Sequence, residues 1–285
     1  LWLSSSGDGW LGGNALYAFE QDGTQQAERL PYAWQPLFGP ADITWDTARQ
    51  VAWVADVNRG EAFCIRSVNL QNGQAGTAIC PPGLLGSPRG LAFDALSDTF
   101  FAGSWNDGMI YRFNRQGEIL QAHWLQHAIA GLAYHPGSQH LYIMLNAAPA
   151  KLVVVDTADP SWPLLGEIAL DGWFSPYGGA GIELDELGAL WAVDQKSNQV
   201  YRLDVGEGSF ADVLAAVDWL TLTPQMFSLG VGQQQEVQVN VDSSGLDRGV
   251  HLARIQVLED TPYSVPDLLV RLVVPYEIIL PVIYR

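Results

Sequence analysis

Five aromatic residues, Trp2, Trp53, Phe101, Tyr142 and Trp191, sit in apolar strands that run into polar turns, and they recur about every 40–50 residues. That interval is the length of one four-stranded propeller blade, and no long amphipathic helical pattern competes with it. The chain is therefore predicted to be all-β, with a β-propeller over residues 1–210 in which five blades are visible and the first is incomplete. Propellers serve as enzymes, binding platforms and scaffolds alike, so the repeat specifies a frame and leaves the activity open.

Four segments repeat the pattern expected of an innermost strand: 42–46, 89–94, 130–135 and 180–185. In each, a small or polar residue precedes an apolar alternation that ends in Asp or His, which suits a strand with both faces buried between blades. Leu1-Trp2-Leu3 matches instead the second strand of a blade. An innermost strand, and with it an upstream domain of the same polypeptide, is expected ahead of it. The turns Asp22-Gly23, Asn106-Asp107-Gly108 and His135-Pro136-Gly137 supply the constrained or left-handed residues that tight hairpins require.

A net charge of −17 with only two lysines, Lys151 and Lys196, argues against a nucleic-acid partner, because affinity for a phosphate backbone comes largely from Lys and Arg. No stretch approaches the roughly 20 apolar residues of a membrane-spanning helix, so no transmembrane segment is predicted. Cys64 and Cys80 lie symmetrically about Asn72 in the turn Gln71-Asn72-Gly73-Gln74. A hairpin centred there makes a cross-strand disulfide, which implies an oxidising compartment and a secreted or cell-surface protein; the alternative is a pair of buried free thiols.

The segments Arg89-Gly90-Leu91-Ala92-Phe93-Asp94 and Ala180-Gly181-Ile182-Glu183-Leu184-Asp185, each followed by strands such as Leu190–Asp194 and Gln199–Asp204, resemble the repeats of NHL-type propellers. After a linker at 211–218 the composition changes. Trp219-Leu220 with Pro224, Gly232 before the alternating run 236–242, and Gly245-Leu246 with Gly249 before a long strand resemble the BACON-like immunoglobulin-type β-sandwich, here spanning 219–274. That resemblance implies a carbohydrate-associated module. The tail 275–285, with its Leu280-Pro281 and final Arg285, is similar to the ends of secreted bacterial proteins in which such regions follow a catalytic domain, as in subtilisin-like peptidases.

No nucleophile elbow, zinc-protease helix, C-x-x-C, phosphate-binding loop or dinucleotide glycine pattern is present. His123 and His127 fall where an outer strand runs into the next blade, which removes the helical meaning of their spacing. Gluconolactonase- and regucalcin-type propellers hold one divalent cation in the channel on oxygen ligands, and by that resemblance Asp42 and Glu183 are candidate ligands, with Asn106, Asn146 and Asp194 as further oxygens and calcium as the only cofactor considered. The competing reading is that strand-end acids satisfy turn amides.

Trp34, Trp124 and Trp173 precede the inner-strand landmarks of their next blades, Ile43, Leu132 and Ile182, by 8 or 9 residues, in the loops that join blades. Those loops share a face with Trp105-Asn106-Asp107, Asn146 and Asp194, and with Tyr177, Phe38 and Phe174 they form an expected aromatic, polar-rimmed surface for sugar rings or extended peptide. In-phase tryptophans also suit packing between blades, whereas Trp105 breaks the phase. The chain is thus read as a non-catalytic extracellular binding or spacer region of a larger secreted bacterial protein, with a glycan or peptide as partner. A metal-dependent lactonase-like hydrolase and a purely structural stalk are the alternatives.

Overall fold

The computed structural model of the chain describes residues 1–5, 15–20, 22, 24–31, 40–46, 49, 51–56, 63–84, 87–210, 217–230, 232–246, 248–255 and 268–275. Trp34, Phe38, Gly23, most of the linker and the tail beyond 275 lie outside them. The chain divides into two compact units, Leu1–Ala211 and Asp212–Arg285.

The first unit is a five-bladed β-propeller of antiparallel sheets. Blade one holds β1 (Trp2–Ser5), β2 (Ala15–Phe19) and β3 (Gln25–Pro31); blade two holds β4 (Pro40–Asp46), β5 (Val51–Asp56), β6 (Cys64–Val68) and β7 (Ala75–Ile79). Blade three contains β8 (Pro88–Asp94), β9 (Thr99–Ser104), β10 (Met109–Asn114) and β11 (Ile119–Trp124), and blade four β12 (Ile129–His135), β13 (His140–Leu145), β14 (Lys151–Asp156) and β15 (Leu164–Ala169). Blade five has β16 (Gly179–Leu184), β17 (Ala189–Asp194) and β18 (Gln199–Asp204). Blades two to four thus have four strands each, blades one and five three each among the described residues.

Blades stack through their landmark aromatics. Trp53 meets Phe100 of the next blade edge-on at 5.1 Å, and Phe101 meets Tyr134 and Trp162 at 4.9 and 5.7 Å. Burying such a ring stabilises the fold by roughly 1.5–3 kcal/mol through transfer from water. The inner strands β4, β8, β12 and β16 lie side by side around the axis. Their spacing requires glycine: a Cβ on Gly131 would lie 2.4 Å from the Ala180 carbonyl oxygen.

Strand-end polar residues close the turns that follow. Asp94 accepts the amides of Leu96 and Ser97, Asp185 those of Leu187 and Ala189, and His135 Nδ1 accepts the Ser138 amide at 3.0 Å. His135 therefore stands in the place of an aspartate as the acceptor, and its Nε2 is 2.9 Å from the Gly208 carbonyl oxygen. In that turn the left-handed residue is Gln139 (φ 61°), in phase with Asp98 (φ 54°), while Gly137 is not left-handed. His123 stacks on Trp162 at 5.3 Å. Cys64 and Cys80 form a disulfide, one step beyond the Ile65–Ile79 pair that joins β6 to β7.

The second unit contains two antiparallel pairs, β19 (Leu220–Thr223) with β20 (Gln238–Val241) and β21 (Gly249–Ile255) with β22 (Leu268–Val274). Trp219 is buried at the start of β19, and its carbonyl accepts the Asp242 amide at 2.8 Å.

Candidate functional site

Two strand connections per blade emerge on one face of the propeller, and backbone bonds tie them together in phase. In blades three, four and five the first residue after the second strand donates its amide to the loop that enters the same blade: Trp105 to Ser87, Asn146 to Ala128 and Gln195 to Gly178, each at 2.9 Å. Among the described residues the loops after β9, β13 and β17 thus meet the loops that enter their blades, while the loop carrying Trp34 and Phe38 lies outside the described residues.

Three large rings stand out from this face: Trp124 at 59% exposure, Trp173 at 61% and Tyr177 at 52%. Trp124 and Trp173 are therefore not the packing residues that their phase also suggested. Each of the three residues has a polar contact. The Trp124 indole donates to the Asp107 carbonyl at 3.0 Å, Tyr201 donates its hydroxyl to the Trp173 carbonyl at 2.8 Å, and Lys196 Nζ lies 5.6 Å from the Tyr177 ring centre. Tyr177 is left-handed (φ 56°), a conformation that costs a non-glycine residue of order 1 kcal/mol or more and is retained where the surroundings over-determine it. Here its amide is bound to the Ala147 carbonyl at 2.9 Å.

Asp194 is fully buried beneath that loop and accepts the amides of Ser175, Lys196 and Ser197 at 2.8, 2.9 and 3.2 Å. Burial pushes its carboxyl up, but the donors outweigh it, led by Ser175, and hold it at about 2. Asp107 accepts the Met109 amide, Asn106 is exposed, and Asn146 keeps a buried side-chain oxygen with no partner.

A groove of about 800 Å³ opens between blades one and five. Trp105 stands at its rim, half-buried beneath the Arg89 guanidinium at 5.3 Å. Asp42 and Glu183 line it further in. One Asp42 oxygen accepts the Leu91 and Leu132 amides at 3.0 Å each, joining three inner strands, and the other accepts Ile43 at 3.2 Å. Burial pushes both carboxyls up. At Asp42 burial outweighs the Leu132, Leu91 and Ile43 amides, and at Glu183 burial is followed by the neighbouring Asp42 carboxyl as the next cause of the rise. Among the described residues, no three His, Cys, Asp or Glu side chains are grouped to hold a metal ion.

Sequence reasoning places Lys196 in the loop after Asp194 without a role of its own, and does not single out Trp191 or Arg89 as site residues. The signal in the sequence is weak: Trp191 reads as a blade landmark, and Lys196 is one of only two lysines in the chain.

No family model and no curated protein matches the chain. Among solved structures it is similar to a nidogen/laminin complex (16% identity, TM-score 0.45, covering 68% of this chain and 86% of that one). It is also similar to a catalytically inactive virginiamycin B lyase from Staphylococcus aureus with quinupristin (14% identity, TM-score 0.43, covering 68% and 62%). Neither likeness carries an argument about activity.

Proposed function

We propose that this chain is a non-catalytic binding region of a larger extracellular bacterial protein, and that its propeller offers the loop face to a carbohydrate or an extended peptide. The exposure of Trp124, Trp173 and Tyr177 on one face carries this reading. Flat rings beside the Asn106 amide and the Lys196 ammonium match the apolar faces and hydroxyl edges of a sugar, or the side chains and amides of a peptide. The Cys64–Cys80 disulfide supports an oxidising compartment. In this reading the repeats are NHL-like, the second unit is the BACON-like immunoglobulin-type sandwich, and an upstream domain of the same polypeptide supplies any catalysis.

The lactonase-like alternative needs at least three oxygens converging on one cation. Asp42 and Glu183 supply two acidic groups, while Asp194 is committed to its loop amides. The stalk reading predicts no use for exposed rings on a single face. A glycan- and peptide-array screen of the intact chain, repeated with Trp124→Ala, Trp173→Ala and Tyr177→Ala combined, tests the proposal: binding by the parent and its loss in the variant are expected, and equal binding by both would refute it.

A further inference from the structure

Around Trp173 and Tyr177, residues 173–178 and 195–197 offer a ligand no main-chain donor. The amides of Trp173 and Phe174 are bound to the Leu170 carbonyl, that of Ser175 to the Asp194 carboxylate, that of Tyr177 to Ala147 and that of Gly178 to Ser175. Residue 176 is proline, which has no N–H. On the neighbouring loop Gln195 donates to Gly178, and Lys196 and Ser197 to Asp194. A peptide added as a strand is held through main-chain bonds, and here the two loops use theirs on their own surroundings. What they present to solvent is side chains: the Trp173 and Tyr177 rings and the Lys196 ammonium.

Charge is unevenly placed on the propeller. Because strands alternate in direction within a blade, the turns after inner and third strands lie on one side and the loops after second and outer strands on the other. The turn side carries acids from every blade, among them Asp22, Asp46, Asp98, Glu118, Asp159 and Glu186. In the described loops of the other side the acids are Asp107 and Asp171. Both lysines of the chain are on that side, Lys196 in a loop and Lys151 at the first residue of β14, where it pairs with Glu167 at 3.0 Å. In a chain of net charge −17, the loop face is thus the side an anion can approach.

Lys196 is held where such an anion would meet the rings. One of the three N–H donors of its ammonium goes to the Pro176 carbonyl at 2.6 Å, which keeps Nζ 5.6 Å from the Tyr177 ring centre. Among the described residues the other two donors have no acceptor. Resting on the loop-face reading above, we propose that the ligand of this face is an acidic glycan, with a sugar ring stacked on Trp173 or Tyr177 and its anionic substituent paired with Lys196. A carboxylate or sulfate accepts the two remaining donors in charge-assisted bonds, while the apolar face of the sugar covers the aromatic ring. The loop is fixed in advance by its own hydrogen bonds, so binding adds little ordering cost. An acidic peptide matches the charge but not the lack of main-chain donors. Asp171, exposed two residues before Trp173, is a point of repulsion for the same ligand.

The probes are tetrasaccharides titrated calorimetrically against the full chain: an oligogalacturonide and a hyaluronan fragment, which carry carboxylates, and a carrageenan fragment, which carries sulfates. The carboxyl-reduced oligogalacturonide and a tetraglutamate peptide serve as comparisons. At least one acidic glycan should bind saturably, at least tenfold more tightly than either comparison and more weakly at high salt. Which of the three binds tells carboxylate from sulfate. Lys196→Gln should weaken that binding at least tenfold with an unchanged melting temperature. Lys196→Arg keeps the charge and should retain most of the affinity, which separates loss of charge from loss of the bond to Pro176. Asp171→Asn should bind at least as tightly as the parent. Equal binding of the neutral glycan, preference for the peptide, or unchanged affinity in Lys196→Gln would overturn the acidic-glycan proposal, as would failure of all three acidic glycans to bind. The loop-face reading itself falls only if the array screen also finds no ligand that the ring variants lose.

Discussion

Glu183 and Trp191 stand opposite each other across β16 and β17, and both line the central groove. The counterparts of Trp191 in other blades, Trp53, Phe101 and Tyr142, are buried, whereas its own ring is half-buried and shares its face with a carboxyl group. Burial of that carboxyl favours its neutral form.

That assignment has a pH consequence. Burial, then the Asp42 charge, raise Glu183 above its ordinary 4.5. Its contribution to stability is fully present below that value and is lost as pH rises through the raised folded value. Glu183→Gln should therefore match the parent near pH 4 and exceed it in stability at pH 8. Urea denaturation at the two pH values measures the difference.

Asp194 has the opposite sign. Its folded value is depressed from 3.8 to about 2, so its stabilisation is present above 3.8 and lost as pH falls towards 2. Asp194→Ala also leaves the amides of Ser175, Lys196 and Ser197 without their acceptor, at about 1–3 kcal/mol for a buried unsatisfied group. Faster hydrogen exchange across residues 173–178 and weaker ligand binding should accompany the loss.

Reducing the disulfide, or Cys64→Ser with Cys80→Ser, should lower stability by about 3 kcal/mol for a loop of this length. The loop-face rings belong to other blades, so affinity measured below the melting range should not change. Denaturation with and without reductant checks the first part.

Gly131→Ala forces a methyl group against the Ala180 carbonyl. Overpacking of this kind costs about 1–3 kcal/mol, and the rigid backbone on the far side points to the upper end. A drop in melting temperature with unchanged far-ultraviolet circular dichroism is the expected result.

Much of the propeller was legible because strand alternation and blade period are local signals. The landmarks Trp53, Phe101 and Tyr142 identify second strands, and even the unusual position of Leu1-Trp2-Leu3 followed from matching them. Strand-end Asp94 and Asp185 behave as the turn-capping reading expected. Long-range consequences were not legible. Nothing in the neighbourhood of Asp42 announces that it joins β4 to β8 and β12, because those amides are brought to it only when the blades close around an axis. The exposure of Trp124 and Trp173 was equally hidden: a residue repeated in phase shares a location in each blade, and location alone does not tell whether the next blade covers it.

The central claim is that exposed rings on the loop face bind ligand, and calorimetry with the strongest array hit tests it most directly. The parent chain should bind saturably, and Trp173→Ala and Tyr177→Ala should each weaken binding at least tenfold with an unchanged melting temperature. Unchanged affinity in both variants and in Trp124→Ala would contradict the account.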